Sequence, residues 1–315
     1  MRSKLLALAA VGVIGAVAAG CGGGSSTGSG GSAVGGAGGT ITVDGSSTVA
    51  PYVTIASEDF TTAGAKTQVT VGISGTGGGF ERFCKGETDI SNASRPIKDE
   101  EKAICQQGGV DYAELQIAND GIAVVANTGN SWATCLTTAQ LKKIWEPKSS
   151  VKSWRDVDAS FPDEQIKLFG PGTDSGTFDF FTDEINGESG ASRTDYQPSE
   201  NDNVIVEGVA GEKGGLGYFG LSYFEQNKAK LKDVAVDAGK GCVQPTSATV
   251  QDATYTPLSR PLFVYVKTSS YARQEVKDFL AYILANEETI AQEALFVPLT
   301  PAQLEAAKAG LAKLG

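Results

Sequence analysis

Histidine is absent from the 315 residues, which excludes Ser-His-Asp and Cys-His catalysis and most zinc enzymes. The five cysteines show no C-x-x-C spacing, so no metal site is expected. No G-x-x-x-x-G-K-[ST] occurs. Ser74-Gly-Thr-Gly-Gly-Gly-Phe80 carries Phe80 where G-x-G-x-x-G needs its third glycine. Nucleotide triphosphate and dinucleotide binding are therefore not expected, and no cofactor is implied. Positive charge is also scarce. Against 37 Asp and Glu stand 26 Lys and Arg, a net charge of −11, which suits neither nucleic acid nor an anionic membrane surface.

The one long apolar run, Leu5 to Ala19, follows Arg2 and Lys4 and ends in Ala19-Gly20-Cys21. It falls short of the roughly 18–20 residues a spanning helix needs and reads as a secretory signal over residues 1–20. Cleavage before Cys21 would leave that cysteine as a lipidated N-terminus. The alternative is a secreted protein with a chance cysteine. Residues 21–39 are almost all Gly, Ser, Ala and Thr, too poor in apolar surface to offset chain entropy, and read as a flexible tether. Without Arg2 and Lys4, the mature chain carries 24 basic and 37 acidic residues, a net −13. Cys84, Cys105, Cys135 and Cys242 remain, an even number in an oxidising compartment, and two disulfides are expected.

About 275 residues follow the tether, enough for two domains. Short β-branched runs (Thr40–Val43, Gln68–Ile73, Gly121–Val125, Gln165–Phe169, Leu262–Val266) alternate with helical patterns, an α/β signature. Val49, Tyr52, Val53, Ala56 and Phe60 recur at helical spacing, with Pro51 in the first turn. Val276, Phe279, Leu280, Ile283 and Leu284 form a second stripe, and Thr300-Pro-Ala-Gln303 resembles a capping box before a last helix. These C-terminal helices are expected to cover the first domain's sheet. Punctuation at Asp120-Gly121 and again over Tyr255–Pro261 suggests two crossings between domains. One lobe would then take residues 40–120 with 258–315, and the other 121–257. Of the three cysteine pairings, Cys84–Cys105 with Cys135–Cys242 keeps each bridge inside one domain.

Three stretches share one design, a strand ending in Ser, Thr and Gly with a helical pattern after it: Asp44–Pro51, Ser74–Phe80 and Gly170–Phe178. A helix start offers unpaired N–H groups and the positive end of a dipole, glycine admits close backbone approach, and hydroxyls donate without a full charge. Any one loop could be an ordinary capped helix. Three that converge would form a donor-lined pocket for a tetrahedral oxyanion. A fourth stretch, Asp89-Ile-Ser-Asn-Ala-Ser-Arg-Pro-Ile97, carries Ser94 and Arg95 in a turn, and a guanidinium gives two parallel bonds to one oxyanion. The other reading of Arg95 is a surface arginine paired with a carboxylate.

In this order, Asp44–Pro51, Ser74–Phe80, Asp89–Pro96 and Gly172–Phe178 resemble the phosphate-binding proteins of bacterial phosphate ABC importers, and Gly215–Gly220 and Tyr255–Leu262 fit as well. The resemblance covers the chain from Thr40. It implies the two-lobed, type II periplasmic-binding-protein fold, each lobe a mixed sheet flanked by helices, with phosphate in the cleft. It also implies a monomer that delivers its ligand to a membrane permease and touches the membrane only through its lipid. Carried over, Ser47 and Thr48 match the first donating loop, Gly75, Thr76 and Gly77 the second, and Ser175, Gly176 and Thr177 the third. The family's proton-accepting aspartate and the arginine four residues before its Ser-Gly-Thr are here Ser94 and Pro171. Arg95 then looks like the relocated cation. Asp120 and Asp174 are the candidate proton acceptors that would admit hydrogen phosphate and repel sulfate. Asp120 could instead be a hinge-turn residue or a partner orienting Arg95, and Asp174 a helix-capping acid. Binding of another oxyanion such as sulfate, molybdate or tungstate stays open, as does a secreted phosphatase using Ser175 or Ser47.

Overall fold

The structure, a computed structural model, describes residues 38–173, 175–199 and 201–314. The expected signal over residues 1–20, Cys21, most of the expected tether and Asp174 lie outside the described residues. Strands are β1 (Thr40–Gly45), β2 (Gln68–Val71), β3 (Ile90–Ala93), β4 (Tyr112–Asn127), β5 (Cys135–Thr137), β6 (Lys167–Pro171), β7 (Gln197–Ser199), β8 (Gly215–Gly220), β9 (Leu231–Asp237), β10 (Cys242–Val243) and β11 (Ser259–Lys267). With the helices between them they make the expected α/β fold.

Strand order runs β2-β1-β3-β11-β4-β8-β6-β7, with β9 beside β4 and flanked by β5 and β10. Parallel pairs (β1 with β2 and β3, β6 with β7 and β8) are joined through helices, while β11 and β4 run antiparallel to their neighbours. Two principal cores result. One gathers Ile41, Val43, Tyr52, Phe60, Val264 and Phe279, and the other Val124, Trp145, Trp154, Phe181 and Tyr218. Full burial of each such aliphatic or aromatic side chain stabilises by ~1.5–3 kcal/mol.

The 16-residue β4 corrects one expectation. The punctuation at Asp120-Gly121 predicts a turn, but the chain passes through both residues as strand. It pairs with β11 up to the Gly121–Ser259 register and with β8 from Ile122 opposite Gly220 onward. Continuous ladder bonds on either side outweigh the local turn preference of Asp-Gly. Asp120 is therefore a mid-strand residue, 6% exposed, and not a hinge turn.

The helix Ala50–Thr62 buries Tyr52, Val53, Ala56 and Phe60, with Pro51 in its first turn. The helix Gln274–Ala285 buries its whole predicted stripe, and the helix Pro301–Ala312 starts with Thr300 accepting from the Gln303 N–H at 3.2 Å. Both pack into the first core, as expected. Cys84 is bridged to Cys105 and Cys135 to Cys242. Among the described residues no helix is long and apolar enough to cross a membrane.

Glu287 sits in the first core's wall, 3% exposed, accepting from the Leu299 N–H at 2.8 Å. Burial raises its pKa, the Leu299 bond opposes that, and Glu288 adds to it. An acid whose folded pKa lies above its unfolded value favours the folded state while protonated. That contribution is lost as pH rises from the unfolded to the folded pKa. Glu287→Gln keeps an acceptor and carries no charge. We expect it to melt above wild type at neutral pH, with the two melting temperatures converging as pH falls through the carboxylate range. A pH series of thermal melts checks this, and a constant offset at every pH would reject it.

Candidate anion-binding site

Loop one leaves β1 through Gly45, whose φ of +139° and whose 2.2 Å distance from an added Cβ to the Asn92 carbonyl oxygen admit only glycine. The Ser46 N–H then donates to that Asn92 oxygen at 3.0 Å, which sets Ser46, Ser47 and Thr48 in the turn ahead of the helix. Loop two is tied to loop one by Asp44. Its Oδ1 accepts from the Gly45 and Ser74 N–H groups at 2.7 and 3.0 Å, and its Oδ2 pairs with Arg82. Two N–H donors and an arginine thus satisfy the oxygens of a carboxylate that is 2% exposed. The helix Gly75–Cys84 begins inside the glycine run, so Gly75 and Thr76 stand in its first turn. The Thr76 hydroxyl accepts from the Ser94 N–H at 3.2 Å and lies 3.1 Å from the Ser94 hydroxyl, joining loop two to the Ser94-Arg95 turn.

Loop three is set by aromatic packing. The helix Gly176–Phe181 buries Phe178, Phe180 and Phe181. Phe181 stacks on Tyr218 at 3.7 Å, and Trp145 meets both rings edge-on. Such pairs add ~0.5–1.5 kcal/mol each beyond the area they bury. Ser175 caps the helix, its Oγ accepting from the Thr177 N–H at 3.2 Å. A Cβ on Gly176 would lie 2.6 Å from the Thr48 Oγ, so only glycine lets loops one and three approach this closely.

Ser46, Ser47, Thr48, Gly75, Thr76, Ser94, Arg95 and Gly176 line one cavity of about 370 Å³. Gly77 is adjacent, its Cβ direction 3.9 Å from Arg95 Nη2. Thr177 and Asp120 instead line a smaller neighbouring space of about 200 Å³, which shares Ser47, Thr48 and Gly176 with the first.

Arg95 lines the cavity but is held from behind. Glu101 takes both its terminal nitrogens at 2.8 Å, and the guanidinium lies 5.7 Å from the Phe80 ring. Burial works to raise the Glu101 pKa, but Arg95 and the Lys98 N–H hold it below the ordinary carboxylate value. Of the alternative readings of Asp120, a partner orienting Arg95 is not what the fold gives: its carboxylate faces Arg260. Arg260 stands opposite Asp120 in the β11–β4 register, so its Nε donates to Oδ2 at 3.1 Å. Its Nη2 donates to the Thr48 hydroxyl at 2.9 Å, and the guanidinium stacks 3.7 Å over the Phe180 ring. Burial lowers its pKa while Asp120 raises it. An arginine is a cation at any accessible pH regardless.

Arg260 is the residue that loop chemistry missed, although it stands inside the Tyr255–Leu262 stretch. A signal was present: one arginine ahead of the otherwise apolar run Leu262–Val266 is out of place in a buried strand unless paired or used. Asp179, Asp183 and Glu184, which line the cavity as well, carry no comparable signal, because exposed acids on a helix read as a solvated face.

A family model described as the PBP superfamily domain matches residues 30–287. The chain is 45% identical over 262 residues to Protein SphX of Synechococcus elongatus, covering 82% of this chain and 77% of that one. It is 42% identical over 261 residues to the phosphate-binding protein PstS of Staphylococcus saprophyticus, covering 81% and 79%. A crystal structure described as a possible phosphate binding protein from Planctomyces limnophilus superposes with a TM-score of 0.84 at 45% identity, over 87% of this chain and 98% of that one. A phosphate transport receptor from Vibrio cholerae, at 22% identity and a TM-score of 0.66, shares the fold. By sequence, by architecture and by the order of its loops, the chain belongs to the PBP superfamily and, within it, to the family of the phosphate-binding proteins.

Proposed function

We propose that this protein captures inorganic phosphate outside the cytoplasm and hands it to the permease of an ABC importer. The observation that carries the reading is the single cavity into which loops one and two, the Ser94 turn and Gly176 all bring donors, with two arginines beside them. Hydroxyls and N–H groups from Ser47, Thr48, Gly75, Thr76, Gly77, Ser94, Ser175, Gly176 and Thr177 serve the phosphate oxygens, and Arg260 with Arg95 supplies positive charge. Asp120 orients Arg260. Residues 40–120 with 258–315 act as one lobe and 121–257 as the other, and ligand favours the closed arrangement over the open one. The protein binds without reacting, works as a monomer, and is anchored by lipid on Cys21.

Isothermal titration of the purified protein tests the reading. Phosphate is expected to bind with micromolar or tighter affinity, with no turnover of a phosphomonoester. An absence of binding heat and of any ligand-induced rise in melting temperature would sink it.

A further inference from the structure

A guanidinium offers its N–H bonds in a fixed, planar fork, and most of the Arg95 fork is already committed. Nη1 donates to the Pro96 carbonyl oxygen at 3.1 Å and to Glu101 Oε2 at 2.8 Å, and Nη2 donates to Glu101 Oε1 at 2.8 Å. Glu101 therefore takes the end of the fork. What remains is its side edge, the Nε–H with the second Nη2–H beside it, and among the described residues no acceptor takes either. These two bonds run parallel, the geometry in which an arginine grips two oxygens of one oxyanion. Nη2 stands at loop two, 3.9 Å from where a Cβ on Gly77 would lie, in the wall that Arg95 shares with Gly75, Thr76 and Ser94.

The clamp is itself held. Glu101 is the third residue of the helix Asp99–Gln107, its Oε2 also accepts from the Lys98 N–H at 2.8 Å, and its side chain is 15% exposed. Cys105 in the same helix is bridged to Cys84, the last residue of the helix that starts at loop two. The carboxylate that grips Arg95 and the loop beside Arg95 thus belong to one covalently tied unit. A long side chain left free would surrender its rotamer freedom when an anion binds, and one clamped beforehand does not.

Resting on the phosphate reading, we propose that Glu101 is a positioning residue: it fixes the end of the Arg95 guanidinium so that the side edge meets the phosphate oxygens. Charge and position pull in opposite directions here. By charge alone, removing a carboxylate near an anion site strengthens anion binding. By position, removing it lets Arg95 wander and weakens binding, and the proposal requires the second effect to win.

Titration calorimetry of a double-mutant cycle with phosphate tests this. Glu101→Ala is expected to bind about three- to tenfold more weakly than wild type. In the Arg95→Ala background the same Glu101→Ala change is expected to cost no further affinity, because nothing is left to position. A merely structural loss, such as that of the Lys98 cap, would instead act alike in both backgrounds. Melting temperatures check folding, and should Glu101→Ala not fold, Glu101→Gln makes the same comparison with one acceptor oxygen kept and a smaller loss expected. A folded Glu101 variant that binds phosphate as tightly as wild type or more tightly overturns the inference, as does an equal loss in both backgrounds. Wild type that binds no phosphate overturns the proposed function itself.

Discussion

Arg260→Ala is expected to weaken phosphate binding by about 30-fold or more, because truncating one member of a buried, hydrogen-bonded charge pair costs ~2–5 kcal/mol. Three losses coincide at this residue. Asp120, 8% exposed at its side chain, loses the cation that neutralises it. The Thr48 hydroxyl loses the donor that holds it in place beside the cavity. Phe180 loses the guanidinium stacked on its face. Arg260→Lys is expected to recover little. An ammonium is a point donor and cannot hold Asp120 and Thr48 from two nitrogens while lying flat on a ring.

The comparison that gives this prediction its force is Arg95→Ala, for which a smaller loss is expected. Arg95 is 32% exposed and spends both terminal nitrogens on Glu101, so less of its charge is available to the anion and solvent screens the remainder. Titration calorimetry of both variants, with thermal melts to confirm folding, decides between the arginines. Should Arg260→Ala bind as wild type while Arg95→Ala fails, the cation of the site is Arg95 and Arg260 is structural.

Opening the Cys135–Cys242 bridge, by Cys135→Ser with Cys242→Ser, is expected to be the most destabilising change outside the core. The bridge spans 107 residues, and a loop of that length restricts the unfolded chain by ~4–5 kcal/mol, against ~3 kcal/mol for a loop near the 21 residues of Cys84–Cys105. It joins β5 and β10, which pair with β9 on either side, so the three strands are tied at one end. Opening Cys84–Cys105 acts elsewhere. It links the helix Gly75–Cys84, which begins at loop two, to the helix Asp99–Gln107, which carries Glu101. Its loss is expected to cost less stability and more phosphate affinity. Urea unfolding of the two double variants, read beside their titrations, checks both halves. Equal destabilisation by the two would show that chain entropy does not govern these bridges.

Much of this was legible because it is local. The three loops are short Ser, Thr and Gly segments bounded by a strand and a helix, and their conformation follows from glycine's freedom and from unpaired N–H groups at a helix start. The helices over 50–62 and 274–285 follow from apolar spacing, and the last helix from its cap. The Asp-Gly at 120–121 misled for the opposite reason. Its turn preference is a local term of a fraction of a kcal/mol to about 1 kcal/mol, and three neighbouring strands, β11, β8 and β9, override it with ladder bonds along β4.

Determined by the sequence itself were the α/β class, the donor chemistry of the loops and the exclusion of histidine-based catalysis. Each depends on residue type or on contacts a few positions apart. Left to the tertiary structure were the partners of charge. Arg260 meets Asp120 across 140 positions and Thr48 across 212, and Arg95, which motif chemistry offers as the cation, turns to Glu101. A guanidinium pairs with whichever carboxylate the packing brings within about 3 Å. That choice is made by strand register and by aromatic packing beneath the helix Gly176–Phe181.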